Sequence, residues 1–155
     1  MPRLPRSVTA SVVVPAPADA VWEVLVDIGR IGEWSHEARG ARWVTGVGPA
    51  VGNVFRGTNR LGSLRWARAC TVLTADVGQR FAYRTDGGLA GDRTEWSFEL
   101  TPAEGGTRVT ERYQILRMPR LLEAAVVRLM PSHLDRTAAL VGDLERLGAL
   151  AALSS

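Results

Sequence analysis

Lysine is missing altogether: each of the 19 basic side chains among the 155 residues is an arginine. The isoelectric point near 9.9 therefore overstates a formal charge of only +3, because little titrates between neutrality and pH 10. The arginines are scattered from Arg3 to Arg146. Nucleic-acid binding calls for a clustered basic face, so that partner is not expected. The densest group, "FRGTNRLGSLRWAR" with Arg56, Arg60, Arg65 and Arg68, reads first as the solvated face of a sheet.

Cysteine and histidine are scarce as well. One cysteine, Cys70, excludes an internal disulfide framework and a cysteine-rich zinc site, and it suits a reducing cytoplasm. With only His36 and His133 available, a zinc site would need both together with carboxylates, so no metal or cofactor is expected. No apolar run approaches the roughly 20 residues that span a bilayer. The N-terminal "MPRLPRSVTASVVV" places Ser7, Thr9 and Ser11 where a signal peptide would be continuously apolar. These features lead us to expect a cytoplasmic protein, one domain over residues 1–155, acting as a monomer or homodimer.

What is present is periodicity. Val8, Ala10, Val12 and Val14 alternate with residues such as Ser7, Thr9 and Ser11 as in a half-buried strand, which Pro15 and Pro17 close. Val21, Trp22, Leu25 and Ile28 then define a short helix ending at Gly29, and a second short helical piece runs to Trp34. Six strand-like segments follow, around 40–46, 52–60, 64–75, 79–86, 92–101 and 106–116. Short turns such as "LGS", "ADVG", "DGGLAGD" and "PAEGG" separate them, so consecutive strands should pair antiparallel. "GVGPAVG" has the glycines of a phosphate loop but contains Pro49 and leads into a strand, so no helix N-terminus is there to hold a phosphate.

From Leu121 the spacing turns helical. Val126, Met130, His133, Thr137, Leu140, Leu144 and Leu147 follow steps of three and four as one stripe, with a kink or fresh start expected at Pro131. The order is α+β: a meander whose face needs a large cover, which the last helix supplies.

Three stretches carry a family resemblance: "VVVPAPADAVWEVLVDIGRIGEW", then "GNVFRG" with "LRWARACTVLTADVGQRFAYR", then "WSFELTPAEGGTRVTERY". Together they resemble the SRPBCC or START-like superfamily, in its polyketide cyclase/dehydrase branch, over about residues 8–150. The resemblance implies a helix-grip fold, a seven-stranded antiparallel sheet curled around a long C-terminal helix with two short helices after the first strand and an apolar cavity between. It further implies that Trp34 packs at one end of the cavity, with His36 and Glu37 just beyond it at the rim. Family members bind lipids, sterols, polyketides or hormones, and only some catalyse a reaction.

Alternation then selects the cavity walls. Trp96 and Phe98 share one face with Thr94 and Leu100, and Tyr113 shares one with Val109 and Ile115. Phe81 and Tyr83 should face inward by their buried area, and Trp66 with Arg68 is the favoured face of 64–73, though Ala67, Ala69 and Leu73 keep the opposite face open. Met130, His133, Thr137 and Leu140 would line the helical side. Glu111 lies in phase with the apolar set, and an inward carboxylate must be hydrogen-bonded, paired or protonated. Glu111 is thus either a paired structural carboxylate or a ligand or proton-transfer group, and His133 either a satisfied core residue or a cavity group.

Two functions compete. The first is a carrier or sensor of a hydrophobic small molecule, a lipid, a polyketide or another ring-containing ligand. The second is a polyketide aromatase/cyclase or dehydratase in which His133 and Glu111 act as general acid and base. A protein- or RNA-interacting protein with a filled cavity is a third, weaker option.

Overall fold

A computed structural model describes residues 2–155. Strand β1 (Ser7–Val14) buries Ala10 and Val14 and leaves Ser7, Thr9 and Ser11 in solvent, the alternation its sequence carries. Pro17 caps helix α1 (Ala18–Val26), which buries Val21, Trp22, Val24 and Leu25. A 3-10 turn (Ile28–Glu33) follows, and Gly32 lets it lie directly on the next strand, since a Cβ there would collide with the Arg39 carbonyl.

Six further strands complete the sheet: β2 (Ala38–Thr45), β3 (Val54–Leu61), β4 (Leu64–Asp76), β5 (Arg80–Asp86), β6 (Arg93–Ala103) and β7 (Gly106–Arg117). Each pairs antiparallel in the order β1-β7-β6-β5-β4-β3-β2, so β1, first in the chain, closes against β7, the last. Short connections make the neighbours consecutive, as the turn signals require.

The C-terminal third differs from a continuous stripe. Helix α2 (Arg120–Leu129) ends before Pro131, a 3-10 turn occupies Pro131–Leu134, and the long helix α3 (Thr137–Ser154) starts afresh. The Asp135 carboxylate accepts from the Thr137 N–H at 3.1 Å, which helps fix that start. The break changes the phase. Thr137 is exposed on the first turn, and Arg136, outside the apolar pattern, is carried inward. Beyond it Leu140, Leu144, Leu147 and Ala151 are buried at steps of four, three and four, and they fasten α3 across β1 and α1. The contact is close enough that a Cβ on Gly148 would enter the Val14 side chain.

Phe81, Phe98, Val21, Val109 and this α3 stripe form one continuous core. Phe81 meets Trp22 edge-on, with ring centroids 6.1 Å apart. Among the described residues no helix is long and apolar enough to cross a membrane.

Candidate functional site: a roofed aromatic cavity

The concave face of the sheet does not meet α3 along its whole length. Between β3–β7, the residues after the first 3-10 turn and the segment 118–136 lies a cavity of about 180 Å³. Its aromatic wall contains Phe55, Tyr83, Trp96, Phe98 and Tyr113. Phe55 and Tyr83 stack edge-on at 5.1 Å, and Trp96 and Tyr113 lie tilted at 4.9 Å. Trp66, Arg68, Met130, His133 and Leu140 also line it, as do Trp34, His36, Glu37 and Glu111.

Two of the expected lining residues lie elsewhere. Phe81 faces inward but is covered by Trp22 in the packed core beside the cavity. Thr137 is turned to solvent by the break before α3. Arg68 reaches the lining, where it pairs with Asp92 at 3.3 Å.

The rim proves to be a buried charge cluster. Glu37 is only 5% exposed; its carboxylate accepts from His133 Nε2 at 2.7 Å and from Arg136 at 2.5 Å. Burial opposes its charge, but the His133 hydrogen bond and the positive potentials of Arg136, His133 and His36 outweigh that and bring its pKa below the usual value. Next to it, His36 Nδ1 contacts Asp143 at 2.7 Å, and the His36 backbone N–H donates to the same carboxylate at 2.8 Å. Arg146 completes the cluster by donating to Asp143 at 2.6 Å and to the Trp34 carbonyl at 2.9 Å. His36 and Glu37, both at the cavity lining, are therefore a clasp between the first 3-10 turn, α3 and the 131–136 segment. Both carboxylates are turned onto partners within the cluster. Among the described residues no group of three or more His, Cys, Asp and Glu side chains is arranged to hold a metal.

Glu111 differs. It is 3% exposed, and its Oε1 has no hydrogen-bond partner. Burial, helped by the Asp143 charge and opposed by Arg136, pushes its pKa up to about 8. Near neutrality it is a neutral acid on the cavity wall. It is not joined to His133, whose ring nitrogen is committed to Glu37. Burial likewise pushes the Cys70 thiol up to about 12, which makes it unreactive.

The roof is a separate structure. Leu4, Met118, Val126 and Met130 reach the lining from the N-terminal arm and the α2 region. They are tied together by Glu123, whose carboxylate accepts from the Leu4 N–H at 3.0 Å and from Arg6 at 3.1 Å, with Arg3 at 3.4 Å. Sequence reasoning missed Arg136 and Asp143. Asp143 had a signal, since it lies three residues after Leu140 and four before Leu147 and so in phase with the buried stripe. Arg136 had none, because only the helix break turns it inward.

The model of the family described as polyketide cyclase/dehydrase and lipid transport matches residues 5–142. Among solved structures, the polyketide cyclase-like protein Cgl2372 of Corynebacterium glutamicum is 26% identical, with a TM-score of 0.59 over 99% of this chain and 93% of that one. The protein TTHA0849 of Thermus thermophilus is 18% identical, with a TM-score of 0.71 over 96% and 99%. Ginseng major latex-like protein 151 from Panax ginseng is 11% identical, with a TM-score of 0.69 over 92% and 95%. No protein of curated function matches the sequence.

Proposed function

The chain belongs to the polyketide cyclase/dehydrase and lipid transport family, and from that premise we propose that it is a carrier or sensor that holds a ring-bearing, largely apolar small molecule under its roof. The observation that carries this reading is the aromatic wall around a void of about 180 Å³. An apolar cavity of about 150 Å³ suffices for benzene, whereas drug-sized ligands occupy about 300–1,000 Å³. One or two rings suit this space, and a sterol or long acyl chain does not.

Arg68 is drawn into the cavity wall and paired with Asp92, apart from Arg56, Arg60 and Arg65, which stay exposed on the outer face of β3 and β4. The buried, unpaired Cys70 is compatible with action in a reducing cytoplasm.

Thermal denaturation with one-ring and two-ring aromatics and with long-chain fatty acids tests the proposal. A bound ring at 100 times its Kd stabilises the native state by about 2.7 kcal/mol and raises Tm, while the fatty acids leave it unchanged. A panel that produced no shift would sink the reading.

One observation favours a second function. Glu111, neutral near pH 7, has the protonation state of a general acid, so a cyclase or dehydratase could use it to protonate a carbonyl or a departing hydroxyl. In that case Glu111→Gln lowers turnover by about 100-fold or more while substrate affinity changes little; unchanged turnover would remove the enzyme reading.

A further inference from the structure

The aromatic wall leaves three polar atoms without partners, each on a residue that meets the inward face of β6 and β7. Glu111 Oε1, Trp34 Nε1 and Arg136 Nε are all buried and all lack a hydrogen bond. Their positions follow from the register of β6 and β7, where Phe98 stands opposite Glu111 and Trp96 opposite Tyr113. These four residues form one patch of the inward face, because same-face neighbours along a strand are about 7 Å apart. Trp34 lies edge-on to Phe98 at 5.9 Å. Arg136 lies over Trp96 at 5.4 Å and Tyr113 at 5.3 Å. Asp92 Oδ1 is also unpartnered but sits against the α-carbon of Gly87 in the β5–β6 connection, where any Cβ would collide with it, so it belongs to a different corner.

The chemistry of the three groups leans to donation. An indole N–H and a guanidinium N–H can only donate, and a protonated carboxyl adds a third donor while keeping one acceptor oxygen, with which neither nitrogen is hydrogen-bonded. Donors cannot satisfy one another; an oxygen with two lone pairs can satisfy two of them. A buried donor without a partner is costly, so each such atom calls for an occupant that accepts.

Resting on the ligand-binding reading above, we propose that the β6–β7 end of this cavity recognises a compact ring ketone, whose carbonyl oxygen accepts hydrogen bonds from the Glu111 carboxyl and from the Trp34 indole beside the same phenylalanine. The ring occupies the remaining aromatic space. The clasp holds the charged ends of Arg136 and Asp143 on Glu37, His36 and Arg146, so neither competes for the carbonyl. The charged and titratable groups acting on Glu111 are Asp143 from α3, Arg136 from the turn before it and Tyr83 from β5. The first favours the protonated carboxyl and the second opposes it.

The test compares 1-indanone with indane, the same bicycle without its oxygen, by calorimetric titration. Wild type at pH 6.5 should bind the ketone about tenfold more tightly than the hydrocarbon, the worth of one hydrogen bond to an otherwise unpaired buried donor. Glu111→Leu should abolish that preference, and near-ultraviolet circular dichroism checks that it folds. Glu111→Gln still presents an amide N–H and should keep most of it. Raising the pH to 9.5 should weaken indanone binding to wild type by about tenfold or more, because a carboxylate no longer donates, and leave the glutamine variant unchanged. Equal binding of both bicycles to wild type means that water, not a carbonyl, satisfies these donors, and overturns the inference while leaving the cavity reading intact. A preference that survives in Glu111→Leu, or a wild-type affinity that ignores pH, overturns it too. Failure of both bicycles to bind strikes the ligand-binding reading itself.

Discussion

Replacing Glu111 by glutamine should flatten the dependence of stability on pH across the neutral range. The folded protein holds the Glu111 proton up to about pH 8, whereas the group's ordinary value is 4.5. Below 4.5 the folded and unfolded chains are both protonated, and the acid costs nothing. Between 4.5 and about 8 the unfolded chain releases a proton that the folded chain retains, so each pH unit removes about 1.4 kcal/mol of stability. Above that window both forms are ionised and the loss is complete. At pH 7 the accumulated loss is about 3 kcal/mol, and at pH 8 it approaches about 5 kcal/mol. Glutamine keeps the shape of the neutral acid and cannot ionise. Urea denaturation followed by fluorescence of the five tryptophans, at pH 5, 6, 7 and 8, gives the wild-type minus variant difference. Glu37 and Asp86 have lowered pKa values, so their contributions are present above the ordinary carboxylate value and lost only as pH falls below it, outside this window. They also cancel in the difference. Parallel wild-type and variant curves would refute the assignment of Glu111 as a buried neutral acid.

Other perturbations test the rest of the architecture. Glu37→Leu leaves Arg136 and His133 buried without their carboxylate, and urea denaturation should show a loss of about 3–5 kcal/mol; near-wild-type stability would mean the clasp is ornamental. Gly148→Ala drives a methyl group into Val14 and should cost about 1–3 kcal/mol in thermal denaturation, with Val14→Ala in the same chain recovering part of it. Thr137→Trp, on the solvent side of α3, should change stability by no more than about 0.5 kcal/mol and preserve ligand-induced shifts in Tm. Leu140→Ala, in contrast, removes a fully buried cavity residue and should cost about 2–5 kcal/mol, measured in the same way.

The sheet was readable from sequence because its information is local. Alternation in β6 and β7 assigns Trp96, Phe98, Glu111 and Tyr113 to the inward face, and the pairing of the two strands keeps that assignment. The helical third was harder. Its three-and-four stripe runs through Met130, His133 and Thr137 by arithmetic alone, while Pro131 ends one helix and the next begins in another phase. Periodicity has no means of counting the residues spent in the turn between. The burial of Glu37 was beyond reach for a different reason. An acidic residue after a short turn reads as exposed, and the groups that make its burial tolerable, His133 and Arg136, come from nearly a hundred residues away. Phe81 was read onto the inward face, but whether an inward side chain meets a void or another ring depends on Trp22, which no strand pattern contains.

The division of labour between wall and roof bears on how such a binder could change its ligand. The wall is sheet, and each of its side chains sits in a hydrogen-bonded ladder shared with neighbours. The roof is drawn mainly from one contiguous stretch, 118–136, anchored by Glu123 to the N-terminal arm, and it contributes no strand to the ladder. Insertions, deletions or a transplanted segment there would resize the chamber without disturbing strand register. The stretch is a natural cassette for exchange. A descendant of this chain could trade a one-ring guest for a larger one by rewriting only this stretch, provided that a carboxylate still met the Leu4 amide and an arginine still reached the Glu37 side chain.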